Sequence, residues 1–191
     1  MSRFESEWQH VREDSLRLAD ERINAIASGF RTHRHKRLAE DPDIAGLVAS
    51  NPLFASWYRQ NTRSHKVSGY RIVFLSRKSH GQASGDISGA QMQQVAQLAD
   101  DCSFSEIRTT YSQNLIFAHV EQSRLFPFWQ ALASLGLANP DMDTANDIIC
   151  CPCIDFCSLA NATSIDVAQD INRRSIACLR WGTSESIYRA V

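Results

Sequence analysis

Residues 69–120 read GYRIVFLSRKSHGQASGDISGAQMQQVAQLADDCSFSEIRTTYSQNLIFAHV, and the order of elements inside this stretch decides the fold. GYRIVFLS (69–76) is short and rich in β-branched and aromatic residues, the composition of a strand. KSHGQASGD after it carries the glycines and small polar residues of a loop. Ser88 and Gln91 have the spacing of a capping box, and Met92, Val95 and Ala99 then fall on one face of a helix. EIRTTY and NLIFAHV are two more strand patterns, separated by Ser112 and Gln113, which is the layout of a hairpin.

Toward the C-terminus, SRLFPFWQALASLGLANP predicts a helix from Ser123 to Leu135, with Gly136 at the C′ position and Pro140 beyond. Pro127 is compatible with it because it falls in the first turn. The short apolar run DIICC (147–151) predicts a last strand. Strand, helix, strand, strand, helix, strand is the split βαβ, or ferredoxin-like, order, so the fold class is α+β. Toward the N-terminus, Asn51 and Pro52 offer an N-cap and a first-turn proline for a helix ending near Asn61. From Phe4 to Phe30, Phe4, Trp8, Val11, Leu18, Ile23 and Ile26 recur at roughly helical spacing and predict one amphipathic helix. RTHRHKR (31–37) has two histidines but no acidic or cysteine company, which favours a solvated loop over a metal site.

The 191 residues, 43% of them hydrophobic, suffice for one core or one domain with an appendage. Twenty basic and twenty-one acidic residues give a formal charge of −1, so no electrostatic footprint points to nucleic acid or an anionic membrane. No apolar run reaches the length of a membrane span, and MSRFESEWQHVRED is too polar for the core of a signal peptide, so the chain reads as cytoplasmic. Thiols are kept reduced in that compartment, which turns attention to metal or redox chemistry for clustered cysteines.

Four of the six cysteines lie in DIICCPCIDFCSLANATS (147–164). Cys150 and Cys151 are adjacent, and on an extended strand their side chains point to opposite faces, so Cys150 is read as a strand residue. Cys102 and Cys178 are read as small buried hydrophobes. His119, at a strand end without an acidic neighbour in sequence, is read as structural.

The segment DIICCPCIDFCSLANATSIDVAQDI resembles the Cys-Pro-Gly-x-x-x-Cys-Ser-Leu-Ala segment of the nitrite and sulfite reductase haemoproteins. Upstream, PLFASWYRQNTRSHKVSGYRIVFLS is similar to the linker and first strand of that family's second ferredoxin-like half, and FSEIRTTYSQNL to its Arg-x-Thr-x-x-Gln-Asn-Leu motif. The resemblance implies that Cys151 and Cys157 are metal ligands, two of the four for a 4Fe-4S cluster coupled to sirohaem. It also implies that Arg108, Thr110, Gln113 and Asn114 face the cofactor region. Cys153 departs from the pattern by replacing a family glycine; if that position needs positive φ, a cysteine there is strained.

By the same resemblance the chain divides into an N-terminal helical segment (1–64), the ferredoxin-like half-domain (65–150), the start of the sirohaem/4Fe-4S domain (151–173) and an aberrant tail (174–191). No Cys-x3-Cys pair follows Cys157, so the second ligand pair of the family is missing. Codons for Leu179 to Val191 admit, in a shifted frame, Leu-Gly-Asp-Ile-Arg-Ile-Asn-Ile-Ser-Gly-Cys, which resembles the family's continuation and predicts a frameshift near Arg174. The implied activity is reduction of sulfite to sulfide or nitrite to ammonia by electrons passing from cluster to sirohaem, with an external electron donor. With half the ligands, the chain alone is expected neither to hold the complete cofactor set nor to be active; a separately encoded remainder of the reductase is a candidate partner that no residue of this sequence calls for. The alternative is a small metal-binding or redox module using Cys151, Cys153 and Cys157.

Overall fold

A computed structural model describes residues 3–14, 18–30, 33–78 and 82–182. The chain forms two compact units, Met1–His35 and Lys36–Val191. In the first, the predicted single helix is two: α1 (Arg3–Asp14) and α2 (Asp20–Ser28). Asp20 and Glu21 sit in the first turn of α2, where carboxylates complement the exposed N–H groups and favour a fresh helix start. Phe4, Trp8, Ile23 and Ile26 are exposed.

The second unit opens with α3 (Asp43–Ser50) and α4 (Pro52–Asn61). Asn51 caps α4 as its spacing predicts, accepting the Phe54 N–H at 3.0 Å. The sheet follows: β1 (Thr62–Ser64), β2 (Tyr70–Leu75), β3 (Arg108–Thr109) and β4 (Leu115–Glu121), in spatial order β1-β2-β4-β3 and antiparallel throughout. Between β2 and β3 runs α5 (Gly89–Cys102), opened by the Ser88–Gln91 capping box. After β4 a 3-10 turn, Gln122–Arg124, leads into α6 (Leu125–Ser134). Gly136, at φ +68°, closes α6, with the Leu137 N–H returning 2.8 Å to the Leu132 carbonyl.

The fold class is therefore α+β, a ferredoxin-like half-domain with helices before it. Its fourth strand differs from expectation. DIICC is not a strand; β1, three residues long, takes the edge beside β2, pairing Thr62 with Val73 and Ser64 with Arg71. Val73 and Leu75 of β2 and Phe117 of β4 are fully buried with Val95 and Ala99 of α5 and Leu125, Phe128 and Leu132 of α6. Phe54 and Trp57 of α4 join the same core; Phe54 meets Phe126 edge-on at 5.1 Å, and Phe117 meets Phe128 likewise at 4.9 Å. The last element, α7 (Ile165–Gly182), begins after the cysteine segment. No helix among the described residues is long and apolar enough to cross a membrane. The side chains of Arg174's successors and residues 183–191 lie outside the described residues, and with them most of the predicted aberrant tail.

Candidate cofactor site

The loop between β3 and β4 is built by its own polar side chains. Thr110 accepts the Asn114 N–H at 3.0 Å through Oγ1, and Gln113 adopts φ +59°, the left-handed region that a tight turn uses. The buried Asn114 then faces inward. Its Oδ1 accepts the Arg77 N–H at 3.1 Å, and its Nδ2 donates to Asp147 Oδ1 at 3.0 Å. Gln113 reaches the cysteine segment with both ends of its amide: Nε2 donates to the Cys150 carbonyl at 2.7 Å, and Oε1 accepts the Cys150 N–H at 3.1 Å. At Cys150 that pair satisfies the two backbone groups a strand neighbour would have taken.

Two cations at the end of β2 complete this region, and sequence reasoning missed both. Lys78 is buried with its Nζ donating to the Ser112 carbonyl at 2.7 Å and lying 3.9 Å from Asp147, while its own carbonyl accepts from Asn172 of α7 at 3.2 Å. Burial lowers its pKa, and Asp147 opposes that shift. Arg77 is 1% exposed. Its Nη2 donates to the Asp86 carbonyl, and the Gly85 N–H returns to the Arg77 carbonyl at 2.8 Å, so the 83–87 loop folds back over it. Gly85 has φ +89°, and a Cβ there would come 3.1 Å from the Gln113 Cβ, so glycine lets this loop approach the β3–β4 loop. The only signal in the sequence is a pair of cations between an apolar strand and a glycine-bearing loop, which reads equally well as a solvated strand end.

Between these parts lies a cavity of 580 Å³. Thr110, Gln113 and Asn114 line it, joined by Arg77, Cys150, Pro152 and Phe156. Arg108 does not; it is exposed and pairs with Glu106. Three of the four motif residues thus converge on one cavity, although their polar groups are engaged mainly in fastening loops to one another.

The cysteines have separate environments. Cys150 lines the cavity, Cys151 is exposed, and Cys153 and Cys157 are half-buried. Pro152 leads into a 3-10 turn, Cys153–Asp155, in which Cys153 has φ +48° and its carbonyl accepts the Cys157 N–H at 2.8 Å. The left-handed backbone anticipated for a family glycine is therefore present, with a cysteine in it. The Cys151 carbonyl accepts from the Ser164 hydroxyl. Among the described residues, no group of three or more potential metal-ligand atoms within 4.8 Å of one another includes a cysteine. Cys102 is half-buried, and burial pushes its thiol pKa up, although Arg124 opposes this. His119 is buried, with Nδ1 3.2 Å from His65 Nε2 and Nε2 4.0 Å from Glu106, an acidic neighbour that only the fold supplies. Beside Lys78 and Asp147, Asp141 is pushed up to about 6, chiefly by burial and further by Asp147, with the Ser76 hydroxyl and the Lys78 charge opposing the shift.

Among curated proteins, none matches the chain. Residues 81–135, which carry α5, the β3–β4 loop and α6, match the family model of the nitrite/sulfite reductase ferredoxin-like half domain.

Proposed function

We propose that the chain forms part of a sulfite or nitrite reductase in which Cys151 and Cys157 ligate a 4Fe-4S cluster and the cavity beside Gln113 borders sirohaem. One observation carries this reading: the paired hydrogen bonds, 2.7 and 3.1 Å, between the Gln113 amide and Cys150. They join the two segments that separately resemble the family, the 108–114 motif and the cysteine segment, at a single cavity lined by Thr110, Gln113, Asn114 and Cys150. The donors suit the groups. Thiolates are the ligands that cluster irons take, and a buried guanidinium suits an anionic ring substituent.

In this reading Cys151 and Cys157 each lose a thiol proton on binding iron. Gln113 fixes the backbone immediately before Cys151, and the turn at Cys153–Asp155 sets the loop between the two ligands. Asn114 and Lys78 hold Asp147, and with it the approach to the cysteines. Arg108 stands at the exposed edge of the motif, where it would meet a further element of the site. When bound, cluster and sirohaem supply the electron transfer that reduces sulfite to sulfide or nitrite to ammonia. Two thiolates are half of a cluster's ligands, so the other two must come from beyond this pair, and an electron donor completes the system.

The test is anaerobic incubation of the chain with iron, sulfide, sirohaem and an excess of a small thiol, which stands in for the two ligands this pair does not supply, followed by iron and acid-labile sulfide analysis and visible absorption. Uptake lost in Cys151→Ser and in Cys157→Ser, and kept in Cys102→Ser, is the expected result. Uptake indifferent to both ligand substitutions overturns the reading. So does tight stoichiometric zinc binding through Cys151, Cys153 and Cys157 without iron or sulfide, which favours a small metal-binding module.

A further inference from the structure

Cys151 and Cys157 belong to one small loop that closes on itself. The Ser164 hydroxyl donates to the Cys151 carbonyl, the Ile154 N–H to the Ala162 carbonyl at 3.3 Å, and the Cys157 N–H to the Cys153 carbonyl at 2.8 Å. Both thiols therefore sit on one framework, Cys151 exposed and Cys157 half-buried. A four-iron cluster needs four thiolates, and this pair offers two. Cys150 is turned to the cavity, with its backbone held by Gln113. Among the described residues, no group of three or more potential metal-ligand atoms within 4.8 Å of one another includes a cysteine, so the surrounding fold does not make up the difference.

The segment that carries the pair is apolar and exposed. Ile154, Phe156 and Leu159 lie within the loop and are exposed. α7, which starts directly after it, has two apolar sides: Ile165 and Ala168 are buried, whereas Val167 and Ile171, one helical turn apart, are exposed. A helix that served only to close this chain needs apolar residues on its inner side alone. Exposed apolar side chains gathered in one segment mark a surface that meets another protein.

Ligand count and symmetry select the partner. A cubane cluster has two-fold axes that exchange its irons in pairs, so two identical loops related by such an axis each meet it through two thiolates. A second copy of this chain brings the same two thiolates and the same apolar residues, in a self-complementary contact. The formal charge of −1 on each chain sets up little repulsion between copies.

We propose that two copies of this chain share one 4Fe-4S cluster across a two-fold axis, each supplying Cys151 and Cys157, with Phe156, Leu159, Val167 and Ile171 of each copy closing around it. This rests on the reading that the pair ligates a cluster and deepens it, because it names the source of the other two ligands. The balance closes: two ferrous and two ferric ions, four sulfides and four thiolates make a cubane of net charge minus two, and each thiol releases its proton. No other oxidant or reductant takes part.

Anaerobic reconstitution of the full chain tests it, with equal ferrous and ferric iron and sulfide, in a phosphine reductant without added thiol. Native mass spectrometry, sedimentation and iron analysis are the readouts. The expected product is one four-iron cluster per two chains, at twice the mass of the chain. Leu159→Glu changes an exposed position, leaves ligands and core alone, and sets two like charges facing each other across the axis. It should take up about tenfold less cluster without thiol, and recover uptake when an excess of small thiol supplies the other two ligands. A four-iron cluster held by a single chain without added thiol overturns the proposal, as does uptake without thiol that is unchanged in Leu159→Glu. Uptake by the parent only when thiol is added, on a single chain, also overturns it; the cluster reading then stands and the remaining ligands belong to a different chain. Uptake indifferent to Cys151→Ser and Cys157→Ser under both conditions defeats the cluster reading and this proposal with it.

Discussion

The sheet with its helices and the cysteine segment beside it are held by different forces. In the first, Val73, Leu75, Phe117, Leu125 and Leu132 are each 0% exposed, and the structure rests on apolar burial. In the second, Ile149, Ile154, Phe156 and Leu159 are 52%, 51%, 77% and 93% exposed, and residues 156–164 have no helix or strand. What fastens it is polar: the Gln113 amide at Cys150, Ser164 at the Cys151 carbonyl, and the Cys153 turn. A core tolerates loss of a surface bond; a segment without burial depends on every bond it has. The exposed segment is also the one that carries Cys151 and Cys157, the ligands proposed above.

Substitutions can break or sharpen that contrast. The largest effect is expected from Trp57→Ala in the core, a loss of about 3–5 kcal/mol, read as a matching drop by urea unfolding and by thermal melt. An equal loss from Phe156→Ala would erase the distinction. Asp141 lies where the two regions meet, close to Lys78 and Asp147. In the folded chain its carboxyl holds a proton to about pH 6, and in the unfolded chain only to the ordinary carboxylate range. Its contribution to stability is therefore fully present below that range and lost as pH rises through about 6. Asp141→Asn should then be more stable than the parent at pH 7, by about 2 kcal/mol, with the gap closing near pH 4; urea unfolding at a series of pH values gives the curve.

Gln113→Asn keeps an amide and a residue that tolerates positive φ, yet is too short to reach both Cys150 groups. Local loosening of about 1–2 kcal/mol is expected, seen as hydrogen exchange about tenfold faster at the Cys150 amide with β2 amides unchanged. Faster exchange throughout the sheet would show that the two regions are one cooperative unit. The smallest effect belongs to Cys153→Gly. It removes the penalty of a side chain at φ +48° and should raise stability by about 1 kcal/mol at most, measured as a small rise in Tm.

Much of the scaffold is legible in the sequence because its signals are local. β2, the Ser88–Gln91 box, the Asn51 cap and the Gly136 terminus each depend on residues within a few positions of one another. The resemblance also marks Cys153 as a place where glycine belongs, and the backbone there has positive φ. β1 was not legible, because three residues of TRS carry no strand pattern and pair only when β2 is alongside. The predicted strand at DIICC failed for a related reason: its bonds go to a side chain 37 positions away, and no periodicity encodes that.

By itself, then, the sequence determined the α+β class, the order of elements from β2 to α6, their caps and the cysteine spacing, all set by neighbours along the chain. Only the tertiary structure decided that Thr110, Gln113 and Asn114 share a cavity with Cys150, that Arg108 stands apart from it, and that Arg77 and Lys78 are buried rather than solvated. Burial and electrostatics depend on what lies nearby in space, and a cation at a strand's end looks the same in sequence whether water or a cavity wall surrounds it.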